Sequence, residues 1–449
     1  MQTDQPVSVP LWARQAGEAK LGVERGDAAA SRRERWSWAQ ASVWTDRMLA
    51  ALEEGVKGGV WFSLIDKVYN RKNLWSAWAK VARNGGCAGT DRVTIGQYEK
   101  DVESNLVWLS EQIRSGQYQP QTVQRRYIPK GGGKRRPLGI PTVRDRIVQG
   151  GLRHVIEPIF EREFAAHSYG FRPGRGCKDA LRRVDHLLKE GYRYVVDADL
   201  ASYFDTIPHA KLLDRVRERI ADGRVLKLIE SFLKAEIMEE MNQWTPVAGA
   251  PQGAVLSPLL SNIYLNPLDQ LMASAGVEMV RYADDFVILC KELEQAQCAL
   301  EMVRQWTTQA DLKLHPEKTR IADAQAEAFE FLGYRFNRGY KNPRDKSLAK
   351  LRETIRGKTK RTSGRCLPAI IHDVNRTLRG WFGYFKHSHG TTFVAVDKWV
   401  RGRLRSILRR RSHRRGKAKG KDHQRWPNAY FVKMGFYSLT AAHRHACQS

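Results

Sequence analysis

Apolar residues recur along the chain with two different periods, which distinguish the segments expected to form helices from those expected to form strands. Helical spacing runs through 61–81, 143–164 and 211–237. Runs rich in apolar and β-branched residues, which are typical of strands, occupy 122–140, 193–200 and 279–290. Strands interleaved with helices predict an α+β fold in which helices cover one face of a sheet.

Glycine and acidic residues mark the turns between these segments. The first helical segment ends in the Gly-rich loop NGGCAGTD, and the run GGGK within 122–140 predicts a β-hairpin with a glycine turn. Within 279–290 a tight acidic turn separates two apolar runs, which predicts a second hairpin. The strand-like run VVDADL also ends in acidic residues. Both clusters of carboxylates are therefore expected at strand ends or turns.

The composition changes after Phe336, and from residue 341 onward the chain has a helical pattern and is very basic. We place a domain boundary near Asn342. This predicts three parts: an N-terminal extension at 1–59, an α+β part at 60–341 and a basic helical part at 342–449. The extension is expected to be poorly ordered or helical, because its periodicity is weak.

Charge narrows the class of partner. The 449 residues include 76 Lys and Arg against 48 Asp and Glu, a formal net charge of +28. A field of that sign attracts polyanions, so nucleic acid is the expected partner. The alternative is a protein that is merely basic.

Cysteine usage and hydropathy bear on the compartment. The six Cys residues form no C-x-x-C pair, so zinc-ribbon or HNH-type metal spacing is absent and reduced thiols are expected. The N-terminal sequence has no apolar signal region, and no run of about 18 apolar residues occurs. We therefore expect a cytoplasmic protein that does not enter a membrane.

Three carboxylates are candidates for metal chemistry: Asp199 at the end of VVDADL, and Asp284 with Asp285 in the YADD turn. Adjacent acids on a tight turn repel each other, and a divalent cation relieves that cost. Mg²⁺ prefers hard carboxylate oxygens together with substrate phosphates, and nucleotidyl transfer uses two such ions about 3.5–4 Å apart. An Asp–Asp pair alone is weak evidence, because Asp is common in turns.

Further blocks of sequence, in order, make the metal interpretation specific. They are RNGGCAGTD, YIPKGGGKRRPLGIPTVRDRIVQ, SYGFRPGRGCKDAL, VVDADLASYFDTIPH, GAPQGAVLSPLLSNIYL, RYADDFVIL, LHPEKTRI and FEFLGYRF. In this order they resemble the motifs of group II intron-encoded reverse transcriptase/maturases. The resemblance covers roughly 61–336 and implies a right-hand polymerase with fingers, palm and thumb. It also implies that Asp199, Asp284 and Asp285 are the three palm ligands of Mg²⁺.

The resemblance also implies which residues hold the incoming dNTP. Lys130 and Arg136 flank the GGGKR turn and resemble the fingers residues that grip the triphosphate; a solvated basic hairpin is the alternative. Phe204 falls where the family has an aromatic steric gate that excludes a ribose 2′-hydroxyl, the alternative being a core aromatic beside Tyr203. Gln252 resembles the residue lining the nascent base pair, or else it is part of a simple loop–helix cap.

Two further residues resemble residues of the family's motifs, and one block of the chain departs from the family's pattern. Lys318 resembles the family lysine near the triphosphate, unless it is only a surface lysine. Arg172 organises the fingers or contacts template, and a structural salt bridge is an equal alternative. The family commonly has G-T-P-Q-G-G where this chain has Ala250 and Ala254, which leaves fine base-pair contacts in doubt but not activity.

Within 401–425, twelve residues are Lys or Arg and only Asp422 is acidic. A solvated helix face would normally interleave acids, so the run indicates a nucleic-acid contact. The region resembles the family's thumb and maturase (X) domain, which binds intron RNA. The basic residues predicted to bind RNA are Arg401, Arg405, Arg409, Arg410, Arg414 and Arg415. The preceding aromatics Trp381, Phe382, Tyr384 and Phe385 are expected to form helix-packing core rather than base-stacking platforms.

The sequence thus predicts an RNA-directed DNA polymerase that binds intron RNA, an RNA template, a DNA primer or target, and dNTPs. The resemblance further implies splicing and intron mobility by target-primed reverse transcription, in a form without the Cys-rich HNH endonuclease. Two alternatives remain: a retron or diversity-generating reverse transcriptase without a maturase role, and an RNA-binding splicing cofactor with a vestigial polymerase.

Overall fold

The computed structural model describes residues 31–131, 134–240, 242–414, 416 and 420–448. Residues 1–30, about half of the predicted N-terminal extension, lie outside them. The fold is α+β, as predicted. The described residues group into two compact units, one formed by the residues up to Arg175 with 200–271 and 305–313, the other by 176–199, 272–304 and the residues from 314 onward.

The helices are α1 Asp46–Glu54, α2 Ile65–Val68, α3 Arg71–Asn84, α4 Ile95–Lys100, α5 Val102–Ser115, α6 Val143–Glu161, α7 Cys177–Lys189, α8 Tyr203–Thr206, α9 His209–Arg217, α10 Gly223–Leu233, α11 Ser257–Ser274, α12 Leu293–Gln309, α13 Asp345–Lys358, α14 Leu367–Phe385, α15 Gly390–Arg411, α16 Lys421–Arg425, α17 Asn428–Lys433 and α18 Leu439–Gln448. The strands are β1 Val123–Gly131, β2 Lys134–Ile140, β3 Tyr194–Asp199, β4 Ile237–Glu239, β5 Asn242–Trp244, β6 Glu278–Tyr282, β7 Asp285–Cys290, β8 Arg320–Asp323, β9 Phe329–Phe331, β10 Tyr334–Asn337 and β11 Tyr340–Pro343.

The first unit combines a helical layer with a four-stranded sheet of order β2-β1-β4-β5. Helix α6 is buried along most of its length and packs against α3. The two helices come very close at Gly150, where an added Cβ would lie 3.1 Å from the Cβ of Ala77. The predicted glycine-turn hairpin is confirmed by the antiparallel pairing of β1 with β2.

The second unit is built on an antiparallel sheet of order β6-β7-β3-β8, with α7 against it. The predicted acidic hairpin is confirmed as β6 and β7. A three-stranded sheet of order β11-β10-β9 follows, and then the helices of the basic region. The predicted boundary at Asn342 falls within β11 and stays a prediction.

Helices α13 to α18 enclose a core of their own. It includes Val374, Phe393, Val400 and Leu404, all of them fully buried. Phe382 and Phe385 are buried, and Trp381 packs against the core, which confirms the packing interpretation for these aromatics. No helix in the described ranges combines the length and the apolar character that crossing a membrane requires.

One predicted helical block, 211–237, is confirmed over most of its length but is interrupted and ends early. Residues 211–237 form α9 and α10 with a break between them, and Ile237 begins strand β4. The break occurs at Asp222, whose carboxylate caps α10 by accepting from Arg224 N–H and also accepts from Leu64 N–H. That second partner is distant in sequence, so periodicity alone could not indicate it.

Candidate active site

Two carboxylates face each other at the end of the second unit's sheet. In the ladder between β3 and β7, Asp199 lies directly opposite Asp285. Strand β6 pairs with β7 up to Tyr282 and Asp285, so Ala283 and Asp284 form the connecting turn. Asp199 lies 85 positions before Asp284 in the sequence, and Asp284 and Asp285 are neighbours. Strand pairing therefore brings all three acids to one edge of the sheet.

The turn is held by a buried arginine that sequence reasoning missed. Ala283 has a φ of +60°, a left-handed conformation that is unfavourable for a residue with a Cβ. The fully buried Arg281 donates from Nη1 to the Ala283 carbonyl oxygen at 2.9 Å. Its guanidinium thus fixes the backbone beside Asp284.

The carboxylates repel one another. Burial raises the pKa of Asp285 to about 7, and the charges of Asp197, Asp284 and Asp199 add to this effect. Burial likewise raises the pKa of Asp197 to about 6, opposed mainly by Arg320 on the neighbouring strand. Asp197 is thus a fourth member of the cluster. The available signal was its position two residues before Asp199, which places both side chains on one face of a strand.

The structure brings Lys318 to this cluster, while its predicted place near the triphosphate stays a prediction. Its ammonium forms an ion pair with the Asp199 carboxylate. The loop carrying it is anchored to the same strand, because His315 N–H donates to the Asp199 carbonyl oxygen at 2.7 Å. Lys318 N–H in turn donates to the His315 carbonyl oxygen at 3.3 Å.

The donor set fits a hard divalent cation. Carboxylate oxygens are the ligands Mg²⁺ prefers, and a cation would relieve the repulsion that raises the Asp285 pKa. Across the described ranges, no three Asp, Glu, His or Cys side chains stand close enough to hold a metal as they are. The Lys318 ammonium supplies the positive charge at Asp199 in this arrangement.

The residues predicted to bind the nucleotide belong to the first unit. Arg136 donates from Nε to Gln252 Oε1 at 2.7 Å, so these two are brought together. The loop of Gln252 is fixed to β2, because Gly139 N–H donates to the Gln252 carbonyl oxygen at 2.6 Å. At the next position, Gly253 has a φ of +107°, and a Cβ there would lie 2.6 Å from the Gly139 oxygen. The side chain of Lys130 lies outside the described residues.

Phe204 is buried and packs against Tyr203 and Phe171, with ring centroids 5.4 Å and 6.5 Å away. Its carbonyl oxygen accepts from Ala250 N–H at 2.7 Å, which joins the α8 turn to the loop that leads to Gln252. The steric gate and the core aromatic therefore remain compatible descriptions of one residue.

Arg172 is enclosed by protein. Its guanidinium forms an ion pair with Glu161 at 2.7 Å and donates to the Ala165 and Ser168 carbonyl oxygens. Its side chain is only 3% exposed. The geometry favours the structural salt bridge over a contact with template.

The arginines predicted to bind RNA differ in how deeply they are buried. Arg405 is buried and donates to the Trp426 carbonyl oxygen and to Asn428 Oδ1, both at 2.8 Å. Two more arginines face acids: Arg409 pairs with Asp422 at 2.6 Å, and Arg401 lies 3.7 Å from Asp397. Arg410 and Arg414 are exposed, and Arg415 lies outside the described residues.

Two protein-family models match the chain. One, described as "Reverse transcriptase (RNA-dependent DNA polymerase)", matches residues 128–336, and the other, "Group II intron, maturase-specific domain", matches 348–426. The first match includes every residue of the carboxylate cluster and Lys318. The second includes most of the helical basic region.

Individual proteins are also similar. Protein YkfC of Escherichia coli is 36% identical over 289 residues, covering 56% of this chain and 76% of that protein. The group II intron-encoded protein LtrA of Lactococcus lactis is 39% identical over 180 residues, covering 40% of this chain and 30% of LtrA. An uncharacterised 91 kDa protein in the cob intron of Schizosaccharomyces pombe is 28% identical over 411 residues, covering 72% of this chain. The chain thus spans three quarters of YkfC but only 30% of LtrA and 50% of the S. pombe protein.

Proposed function

The chain belongs to the group II intron reverse transcriptase/maturase family, and from that membership we propose that it is an RNA-directed DNA polymerase that also promotes intron splicing and mobility. The observation that carries the polymerase proposal is the opposition of Asp199 and Asp285 at one sheet edge, with Asp284 in the adjoining turn. These acids stand inside the matched reverse transcriptase domain.

The proposed roles follow from side-chain chemistry. Asp199, Asp284 and Asp285 would hold Mg²⁺, which supplies the Lewis acidity for activating a primer 3′-hydroxyl and neutralising a triphosphate. Lys318 would shield or protonate the pyrophosphate. Its contact with Asp199 supports this, because the ammonium is held among the carboxylates.

Residues of the first unit would bind the incoming nucleotide and select it. Arg136 would bind the triphosphate together with Lys130, since a guanidinium offers bidentate donors to phosphate. Gln252 would line the nascent base pair, and its hydrogen bond to Arg136 supports a shared task. Phe204 would exclude a ribose 2′-hydroxyl and so select dNTPs.

Primer extension tests the polymerase proposal. With Mg²⁺ and dTTP, the protein is expected to extend a DNA primer on poly(rA), and Asp284→Ala is expected to lower the rate by several orders of magnitude. The loss follows because the variant removes a proposed metal ligand. Asp214→Ala, which removes an exposed carboxylate of α9, is the matched control and should extend normally. No extension by the parent protein would leave only the RNA-binding alternative.

The maturase part of the proposal rests on the match to the maturase-specific domain over 348–426. This match favours a group II intron protein over a retron or diversity-generating enzyme. The proposed partners are intron RNA in a ribonucleoprotein, an RNA template and a DNA primer or target, with mobility by target-primed reverse transcription. A cytoplasmic location belongs to the same proposal.

Splicing of the cognate intron at low Mg²⁺ tests this second part. Added protein is expected to accelerate splicing, because bound protein would stabilise the folded RNA that high Mg²⁺ otherwise supports. The Asp284→Ala variant should splice as well as the parent, since splicing does not use the polymerase carboxylates. Equal splicing without protein would remove the maturase role and leave the polymerase role intact.

A further inference from the structure

A cleft in the first unit shares Phe204 with the residues assigned to the nucleotide, whereas its other lining residues have no role in the function proposed above. We call it the Trp244 pocket. Its volume is about 460 Å³, within the roughly 300–1,000 Å³ typical of small-ligand sites. It is lined by Arg125, Pro137, Phe204, Asp205, Ile237 and 244–251.

The floor of the Trp244 pocket is firmly built. Gly249 N–H donates to the Ile207 carbonyl oxygen at 2.8 Å, and the Gly249 oxygen lies 2.7 Å from Nε2 of His209. Gly249 has a φ of +96°, and a Cβ there would lie 3.0 Å from the backbone of Asp205. The direct contact between the two chain segments leaves no room for a side chain at position 249.

The wall of the pocket presents an aromatic surface. Trp244 lies opposite Ile237 in the β4–β5 ladder and is 37% exposed. The Arg125 guanidinium carbon lies 5.1 Å from the centroid of its ring, within cation–π range. Val247, in the loop after β5, is 92% exposed. Trp244 and Val247 are thus two exposed apolar side chains beside one cleft, which is consistent with a ligand surface.

The chemistry of the lining favours a nucleobase. An indole ring offers stacking to any base, and such stacking tolerates every base sequence. Arg125 is a donor for a neighbouring phosphate, and the exposed Asp205 carboxylate is an acceptor for base N–H groups. The pocket also adjoins the proposed nucleotide residues, because Phe204 lines it and its last lining residue, Pro251, precedes Gln252.

We propose that the Trp244 pocket binds one unpaired nucleobase, stacked on Trp244, from a single strand or a free nucleotide. The proposal rests on the proposed function in taking nucleic acid as the partner. It adds a binding site outside the carboxylate cluster, with Trp244 and Arg125 as its recognition residues.

Photocrosslinking of the full-length protein tests the site without relying on polymerisation. One arm uses a short single-stranded RNA containing 5-iodouridine, and the other uses free 5-iodouridine triphosphate; crosslinked peptides are mapped by mass spectrometry. Crosslinking is expected at Trp244 and should disappear in Trp244→Ala. Trp75→Ala is the matched control, because Trp75 is also exposed on the first unit.

Affinity for the ligand that crosslinks should fall about tenfold in Trp244→Ala, as expected for losing one base–aromatic stack. Trp244→Phe keeps an aromatic ring and should retain most of the affinity, which separates stacking from misfolding. Crosslinking in either arm supports the site and identifies the source of the base. If RNA still binds but neither probe crosslinks to Trp244, the proposal is overturned. Primer extension, measured on the same preparation, reports separately on the polymerase function.

Discussion

At the scale of single residues, burial decides what a charged side chain does. Arg281 and Asp397 are both fully buried, and each forms hydrogen bonds with backbone groups. Arg281 donates to the turn carbonyl beside Asp284, whereas Asp397 accepts from Leu439 N–H and Thr440 N–H at the start of α18. A buried charge is costly unless it is hydrogen-bonded in this way. Such residues stabilise the local backbone even when they lie near functional residues.

His154 makes stability depend on pH. Burial lowers the pKa of its imidazole to about 4, with Lys80 and Arg153 adding to the shift, and Nδ1 lies 2.9 Å from Asn73 Oδ1. The unfolded chain, with an ordinary pKa near 6.5, takes up this proton first as pH falls. The stabilising contribution of neutral His154 is therefore present above pH 6.5 and lost progressively as pH falls toward 4.

We expect the lowered pKa of His154 to reduce the unfolding free energy by about 2 kcal/mol when the pH falls from 7 to 5. Chemical denaturation at both pH values should show that His154→Gln loses less stability on acidification than the parent. His372→Gln changes an exposed histidine and should keep the parental difference. Identical pH differences in parent and His154→Gln would contradict the assignment.

At the scale of elements, the β6–β7 hairpin is held by contacts with helices far along the chain. Burial raises the pKa of the Tyr282 and Tyr384 hydroxyls, and the neighbouring Cys177, the first residue of α7, adds to both shifts. The Tyr384 hydroxyl also donates to the Leu332 carbonyl oxygen at 2.7 Å, and Tyr334 donates to the Tyr384 carbonyl oxygen at 2.7 Å. Helix α14 is thereby connected to the strand that leads into the acidic turn. We therefore expect Tyr384 to act as a positioning residue for that turn.

Tyr384→Phe removes the hydroxyl and keeps the ring. We expect kcat for primer extension to fall about fivefold, the factor given by about 1 kcal/mol for a net hydrogen bond. KM for dTTP should change little, because Tyr384 acts through the hairpin and does not touch the nucleotide. Tyr340→Phe, at an exposed tyrosine, should leave kcat unchanged. An unchanged kcat in Tyr384→Phe, or a change confined to KM, would refute the positioning role.

At the scale of the whole molecule, the net charge of +28 predicts salt-sensitive binding of RNA. Each phosphate that a cation neutralises contributes about one unit to the slope of log affinity against log salt. Of the predicted RNA-binding arginines, Arg410 and Arg414 are exposed and Arg405 is buried. The two kinds of arginine should therefore respond differently to substitution.

We expect the double variant Arg410→Gln, Arg414→Gln to lower the salt slope by about one to two units without changing Tm. Arg405→Gln should instead lower Tm, because it removes hydrogen bonds to Trp426 and Asn428 inside the core. Fluorescence anisotropy across a salt series and thermal melts measure both. A double variant with the parental slope would exclude these two arginines from RNA binding.

The sequence by itself determined the elements with strong local signals, because these depend on neighbours along the chain. Alternating apolar residues and glycine or acidic turns identified the β1–β2 and β6–β7 hairpins, and the order of motifs identified the family. Local signals predicted helix at 211–237 but not its break at Asp222, which accepts from a residue 158 positions away. The roles of the site residues themselves stay predictions for the experiments above.

Only the tertiary structure decided which residues meet and which are buried. Pairing of β3 with β7 brought Asp197 and Asp199 to the acidic turn, and the loop before β8 placed Lys318 on Asp199. Arg172 and Arg405 are buried and form internal ion pairs or hydrogen bonds, whereas Arg410 and Arg414 are exposed. The sequence alone does not distinguish the buried arginines from the exposed ones. Strand pairing, burial and the Trp244 pocket join segments far apart along the chain. They depend on packing energies summed over many distant contacts, which no local pattern of residues records.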